Sequence, residues 1–155
     1  MPGRAQTIEI RIVNGRNGQP VADRCMDVWV GDRSKPTAGP LFETQTDQNG
    51  VISLHLSREI ANTNKDGQRL ACGLTGSINP TVKYGDTISI RTGYLLCQPR
   101  APSYSWLAKA DFSTEEVLQQ GIATANTCGK VTASPKPGQV VLFVRPLTWW
   151  EKLKQ

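Results

Sequence analysis

The sequence offers few residue combinations that could perform catalysis. His55 is the only histidine in the chain, and a serine or cysteine nucleophile needs such a base beside it. Because His55 alternates with leucines in the stretch 51–56, we expect its ring on the solvent face of a strand. Glu115 and Glu116 are adjacent carboxylates, but they fall in the first turn of a predicted helix, where negative charge stabilises the helix dipole. These patterns predict a protein that is not an enzyme, with a hydrolase as a remote alternative.

The spacing of possible ligands predicts no metal site and no other cofactor. The four cysteines include no CxxC pair, whereas tetrahedral zinc needs closely spaced thiolate or imidazole ligands. Asp47 and Asn49 carry oxygen atoms suited to calcium, yet the other acidic positions of a calcium loop are missing. Turn formation explains these two residues, because Asn49-Gly50 is a strong turn signal.

Four widely separated cysteines in a small domain instead favour disulfides, formed in an oxidising compartment. They allow three pairings, and the sequence does not choose among them. We favour Cys97 with Cys128, which would hold the long segment between two strands, and this leaves Cys25 with Cys72. We therefore expect a secreted, periplasmic or cell-surface protein. Because no apolar signal-peptide segment is present, we also expect that a leader is absent from this sequence.

Aromatic residues are the candidates for binding. Flat ring faces stack on sugars, and they also anchor protein interfaces. The alternative is that these rings pack at the open ends of the fold. The candidate binding residues are Tyr94, Tyr104, Trp106, Trp149 and Trp150.

The composition favours one small β-rich domain. The 155 residues include 14 Gly and 10 Pro, and this number of turn formers suits many short strands. The formal charge of +5 arises from scattered Lys and Arg, whereas a nucleic-acid interface concentrates basic residues and aromatics on one face. No stretch is long and apolar enough to span a membrane. We therefore expect neither a nucleic-acid partner nor a membrane span.

The elements that must position these residues are mostly strands. Alternating apolar residues predict strands at 7–13, about 21–31 and 86–97, the last with a kink at Gly93. A hairpin is predicted from 41–46 and 51–56 around the turn Asp47-Gln48-Asn49-Gly50. The dense apolar run 139–145 is typical of a central last strand. Ser113-Thr114-Glu115-Glu116 is a capping box that starts a short helix ending at Gly121.

These elements predict an all-β fold, a two-sheet antiparallel sandwich of about seven strands, with one short helix near 113–120. Residues 1–6 are predicted to form a flexible arm and residues 7–147 a single domain. Residues 57–80 hold few apolar anchors and are expected to be a long excursion. The tail 148–155 combines Trp149, Trp150 and Leu153 with two lysines, which predicts a short amphipathic helical turn.

Part of the chain resembles a known family. The residues that carry the resemblance are Ile8-x-Ile10-x-Ile12, Asn17-Gly18-Gln19-Pro20-Val21, Val28-x-Val30 and Thr46-Asp47-Gln48-Asn49-Gly50-Val51-Ile52-Ser53-Leu54. This order of strand, G-x-P-[IV] turn, V-x-V strand and T-D-x-x-G turn resembles the carboxypeptidase regulatory-like domain, a transthyretin-like sandwich. The resemblance covers roughly the first third of the chain. It implies a non-catalytic accessory, adhesive or carrier domain of an exported bacterial protein.

Two functions from different classes follow from these expectations. The first is an exported binding or assembly module, which binds a protein partner or a second copy of itself, for example by adding a strand at a sheet edge. The alternative is a carbohydrate-binding module that uses the exposed Tyr and Trp residues.

Overall fold

The computed structural model describes residues 6–31, 41–58, 81–98 and 109–146. Within these residues the chain forms ten strands and one helix. They are β1 (Gln6–Asn14), β2 (Cys25–Gly31), β3 (Leu41–Gln45), β4 (Val51–Ser57), β5 (Thr81–Lys83), β6 (Thr87–Arg91), β7 (Leu95–Leu96), β8 (Lys109–Ser113), α1 (Thr114–Gln120), β9 (Ile122–Ala123) and β10 (Gln139–Arg145).

Two sheets pack against each other, which confirms the predicted all-β sandwich. The larger sheet has the order β5-β4-β1-β10, and the far edge of β10 is shared by β9 and β7. The smaller sheet has the order β3-β2-β6-β8 and is antiparallel throughout. The larger sheet is mixed, because β10 runs parallel to β1 and to β9, and β5 runs parallel to β4. The described residues contain ten strands instead of about seven, because β5 and β9 are too short to show an alternation, β8 was not predicted, and the predicted strand 86–97 is divided into β6 and β7.

The core lies between the sheets and is built from the alternation that the sequence shows. In β1 the side chains of Ile8, Ile10 and Ile12 are fully buried, while Glu9 and Arg11 point to the other face. The same alternation buries every second residue of β2, β4 and β6. Each fully buried Ile or Leu contributes about 1.5–3 kcal/mol relative to an exposed position. The alternation that predicted these strands therefore corresponds to one buried and one outward face.

The predicted hairpin around Asp47-Gln48-Asn49-Gly50 is wrong, although the turn itself is present. The turn is tight, because the Gly50 amide donates to the Asp47 carbonyl at 3.0 Å. Its two flanking strands nevertheless belong to different sheets: β3 pairs with β2, and β4 pairs with β1. The turn therefore carries the chain across the sandwich instead of returning it along the same sheet.

Contacts on both sides of the turn explain this crossing. Before the turn, the Thr46 hydroxyl donates to the Val21 carbonyl at 2.7 Å and accepts from the Arg24 amide at 3.0 Å. After it, the Gly50 carbonyl accepts from the Ile12 amide at 2.9 Å. Gly50 has a φ of 72°, and a Cβ there would stand 2.8 Å from the Ile12 carbonyl oxygen. Only glycine allows β1 to approach so closely.

The predicted strand 86–97 is also divided between the sheets. β6 belongs to the smaller sheet and β7 to the larger one. Between them the buried Thr92 hydroxyl donates to the Tyr94 carbonyl and accepts from the Tyr94 amide, both at 3.1 Å. This local turn lies at the predicted kink, and it moves the chain from one sheet to the other.

Helix α1 is confirmed. The Ser113 hydroxyl accepts from the Glu116 amide at 3.5 Å, and the Gly121 amide donates to the Val117 carbonyl at 3.0 Å. The Glu116 carboxylate accepts from the Gln120 side chain at 3.2 Å instead of from the start of the helix. Val117 is fully buried and belongs to the main core.

Several predicted features lie outside the described residues. They are the tail 148–155, nearly all of the arm 1–6 and nearly all of the excursion 57–80. Gln6, the last residue of the predicted arm, already pairs with Leu56 in the larger sheet. Across the described ranges, no helix has the length and apolarity that a membrane crossing requires.

Candidate functional site

Of the five aromatic residues predicted to bind a ligand, the structure describes one. Tyr94 is half-buried and packs against the main core. Its ring therefore serves packing at the edge of the sandwich. Tyr104, Trp106, Trp149 and Trp150 lie outside the described residues, so binding by the aromatic set stays a prediction.

The predicted disulfide between Cys97 and Cys128 is confirmed. The two sulfur atoms are 2.07 Å apart and the Cα atoms 5.3 Å apart, and the bond closes a sequence separation of 31 residues. Cys25 is also disulfide-bonded. Its predicted partner, Cys72, lies outside the described residues.

The Cys97–Cys128 disulfide holds a segment, residues 124–138, that we call the strap. It lies over the outer face of β10, where Val141 and Phe143 are 5% and 3% exposed. These two side chains form a second apolar cluster with Cys97, and Val131 and Ala133 of the strap pack against it. The larger sheet is therefore covered on both faces along β10.

Asn126 fixes the path of the strap through three hydrogen bonds. Its side-chain nitrogen donates to the carbonyls of Gly15 and Val131 at 2.9 and 2.8 Å, and its oxygen accepts from the Cys128 amide at 3.1 Å. A Cβ on Gly15 would stand 2.3 Å from the Asn126 oxygen and 2.7 Å from the Cys97 sulfur. The strap and the turn after β1 are thus packed so closely that position 15 has no space for a Cβ atom.

Beside the strap, the outer face of β1 and β4 forms an open groove with a volume of about 550 Å³. The groove ends at the turn after β1 and at the turn before β4. Its volume falls within the range of about 300–1,000 Å³ that ligand sites occupy. The lining residues are Glu9, Arg11, Val13, Gly18, Pro20, Asp47, Asn49, Val51 and Ser53. We call this the β1–β4 groove.

Arg11 is the cationic residue of the β1–β4 groove. Its Nε donates to Glu9 Oε1 at 2.8 Å, and both side chains are partly exposed. Within the described part of the chain, its two terminal nitrogens have no hydrogen-bond partner. A guanidinium held at Nε still presents two donors in a fixed plane, which suits a carboxylate or a backbone carbonyl.

The polar residues of the groove that sequence motifs draw attention to have structural partners. Asp47 Oδ1 accepts from the amides of Asn49 and Val51 at 2.8 and 3.0 Å, as expected of a turn. His55 lies farther along β4 on the same outer face, with its Nδ1 3.0 Å from the Thr7 hydroxyl. The described ranges contain no group of three or more potential metal ligands.

A cluster at the other end of β4 joins three elements. The Tyr84 hydroxyl donates to Glu115 Oε1 at 2.8 Å, and the Arg58 guanidinium lies 3.9 Å from the centre of the Tyr84 ring. Burial, followed by the hydrogen bond to Glu115, raises the pKa of Tyr84 above its ordinary value of 10.0. The cluster therefore connects Arg58, at the end of β4, and Tyr84, after β5, to helix α1.

The outer face of the smaller sheet carries an aromatic residue that sequence reasoning did not select. Trp29 is half-buried at an outward position of β2, and the Arg91 guanidinium lies 5.2 Å from the centre of its ring. Because Met26, Val28 and Val30 are buried, the alternation along β2 puts Trp29 on the outward face. An aromatic ring at a solvent-facing strand position was the signal that could have found it.

Comparison with models of known protein families, with curated proteins and with solved structures gave no match.

Proposed function

We propose that this protein is a non-catalytic binding and assembly module of an exported protein, and that the β1–β4 groove holds a segment of a protein partner or of a second copy. The observation that carries the proposal is the groove itself. It combines an open shape with Arg11, whose terminal nitrogens have no partner in the described chain. Backbone carbonyls and carboxylates of an extended segment are suitable acceptors for such a group.

The disulfides support the exported part of the proposal. Cys97 and Cys128 are bonded to each other and Cys25 is also bonded, and such bonds persist in oxidising compartments. A secreted, periplasmic or cell-surface location fits this chemistry. The resemblance of the first third of the chain to the carboxypeptidase regulatory-like domain, a family of accessory modules, points the same way.

The position of His55 supports a non-catalytic role. Its described hydrogen bond is with Thr7, at the outer surface, and not with a serine or cysteine nucleophile. The Asp47 oxygen that accepts two backbone amides is committed to the turn. The groove residues are therefore better suited to holding a ligand than to transferring a proton.

Site-specific photocrosslinking tests this proposal. A photoreactive amino acid replaces Ser53 on the floor of the groove, and a matched variant carries it at Gln119, an exposed position of α1. We expect a protein crosslink from position 53, weakened by Arg11→Ala, and none from position 119. Light scattering over a wide concentration range then identifies a second copy as the partner if the chain self-associates. No crosslink at position 53, or equal crosslinking at both positions, would rule out the groove as the binding surface.

A further inference from the structure

The smaller sheet has a free edge at β3. Within the described residues β3 pairs only with β2, and the register from Leu41 to Gln45 is continuous, without a bulge. Edge strands that stay unpaired usually carry lysine, proline or a bulge that blocks a further strand. β3 has none of these three features, and its one charged residue is Glu43. This edge is therefore suited to receiving another strand.

The hydrogen bond directly after β3 shows which backbone groups face the free edge. The Thr46 amide donates to the Arg24 carbonyl at 2.9 Å, so the backbone of Thr46 is directed towards β2. Successive residues of a strand direct their amides and carbonyls to alternate sides. Thr44 therefore also faces β2, whereas Glu43 and Gln45 face the free edge. Within the described chain, the amides and carbonyls of these two residues have no partner on that side.

The side chains of β3 complement a second copy of the same strand in one antiparallel register. With a twofold axis at Thr44, Glu43 lies opposite Gln45 of the second copy, and the symmetry repeats this pair. Both side chains are half-buried on the outer face, where the Glu43 carboxylate can accept from the Gln45 carboxamide. A twofold axis at Glu43 would instead place two carboxylates directly opposite each other, which is destabilising. The outward side chains therefore select both a second copy and its register.

The other long edge of this sheet offers a poorer match. Within the described residues β8 pairs only with β6, and Asp111 lies at its centre. A twofold axis at Asp111 would again oppose two carboxylates. A shift towards the end of the strand is limited, because α1 begins at Thr114.

We propose that β3 pairs with β3 of a second copy, antiparallel and about a twofold axis at Thr44. The amide and carbonyl of Glu43 bond to the carbonyl and amide of Gln45 of the second copy, and the symmetric pair brings the total to about four backbone hydrogen bonds. The two smaller sheets join into one continuous antiparallel sheet. The assembly stops at a dimer, because both copies use the same edge. This interface lies on a different sheet from the β1–β4 groove and does not rest on the function proposed for that groove.

Sedimentation equilibrium of the full 155-residue chain measures the dissociation constant of the dimer. The variant Glu43→Pro removes an amide that faces the free edge and keeps those that face β2, a position at which strands accept proline. We expect this variant to be monomeric. The matched control Asp111→Pro makes the same change on the edge of β8, because the Thr114 amide donates to the Asp86 carbonyl at 3.0 Å and thereby directs the Asp111 amide away from β6. This control should dimerise as the unmodified chain does.

Substitutions of Gln45 test the register. Gln45→Lys places an ammonium group opposite Glu43 of the second copy at both symmetric positions, and it should tighten the dimer by about fivefold. Gln45→Glu places like charges there and should weaken the dimer by about fivefold. High salt should reduce both effects. These two variants test the proposal even if thermal unfolding shows that Glu43→Pro is not folded.

The variant Arg11→Ala separates this dimer from association through the β1–β4 groove, and it should leave the dissociation constant unchanged. The proposal is overturned if the unmodified chain stays monomeric up to its solubility limit. It is also overturned if folded Glu43→Pro dimerises normally, or if Gln45→Lys and Gln45→Glu shift the dissociation constant in the same direction. A dimer that Arg11→Ala abolishes and Glu43→Pro retains would assign self-association to the groove and overturn the pairing of β3.

Discussion

Replacement of Asn126 by alanine should destabilise the fold more than its partly exposed position suggests. The side chain connects the strap to two separate parts of the chain through the Gly15 and Val131 carbonyls and the Cys128 amide. An alanine leaves all three backbone groups without these partners, in a region where Gly15 and the disulfide leave little space for water.

The expected magnitude follows from the number of bonds. One intramolecular hydrogen bond contributes about 1 kcal/mol net, so the three bonds of Asn126 predict a loss of about 3 kcal/mol in unfolding free energy. For a domain of this length each kcal/mol lowers the melting temperature by about 2–4 °C. The melting temperature of Asn126→Ala should therefore fall by about 6–12 °C.

Urea unfolding of the oxidised protein, followed by circular dichroism, measures this loss. The matched control is Asn17→Ala, which removes the same side chain from an exposed turn where it accepts one bond from the Gln19 amide at 2.9 Å. We expect the control to lose less than about 1 kcal/mol. If the two variants lose equal stability with equal m-values, Asn126 does not hold the strap and the reasoning is refuted.

Three other predictions concern close packing, the disulfide and pH. Gly15→Ala should lower the free energy of unfolding by about 1–3 kcal/mol, because the added Cβ would clash with Asn126 and Cys97. The control Gly93→Ala, whose Cβ would have no atom within 4 Å, should leave the unfolding free energy nearly unchanged. Thermal unfolding measures both variants. Replacing both Cys97 and Cys128 by alanine should cost about 3–4 kcal/mol by the loop-entropy model for a separation of 31 residues; an equal unfolding free energy in the variant would contradict this. The raised pKa of Tyr84 predicts that stability is fully retained below pH 10.0 and falls as pH rises through the higher folded-state value. The variant Tyr84→Phe should therefore lose less stability at alkaline pH than the unmodified protein. Identical alkaline unfolding curves for the two proteins would contradict this role of Tyr84.

The sequence predicts local structure well because a strand that is buried on one face shows apolar residues at every second position. Alternation at Ile8, Ile10 and Ile12 identified both the strand and its buried face. The Ser113 cap and Gly121 bounded the helix, since capping depends on residues only a few positions apart. The favoured cysteine pairing also holds, although it rested on the placement of strands and not on any local signal.

The sheet to which each strand belongs could not be predicted in the same way. A strand that crosses the sandwich and a strand that returns in a hairpin bury the same alternate residues. The difference at Asp47–Gly50 arises from the bonds of Thr46 to Val21 and Arg24, which are more than twenty positions away. Long-range contacts of this kind have no signature in the turn itself.

The candidate sites show a related limit. Tyr94 was selected as an aromatic residue near a long connection, and the structure adds that its half-buried ring packs on the core; its role in binding stays a prediction. Trp29 was not selected, because one aromatic residue in a strand gives no indication of its neighbours. Its relation to Ser89 and Arg91 depends on the register between β2 and β6, which requires the fold.

The apolar run of β10 connects the strap to the position of the groove. A strand with one solvent-exposed face alternates between apolar and polar residues, whereas Gln139–Arg145 has buried residues at five consecutive positions. Such a run requires cover on both faces, and the strap supplies the second cover over Val141 and Phe143. The neighbouring strands β1 and β4 keep polar residues such as Glu9, Arg11 and Ser53 outward. The outer face of the larger sheet is therefore closed over β10 and open over β1 and β4, and the hydrophobicity of these strands already distinguishes the covered part from the part available to a partner.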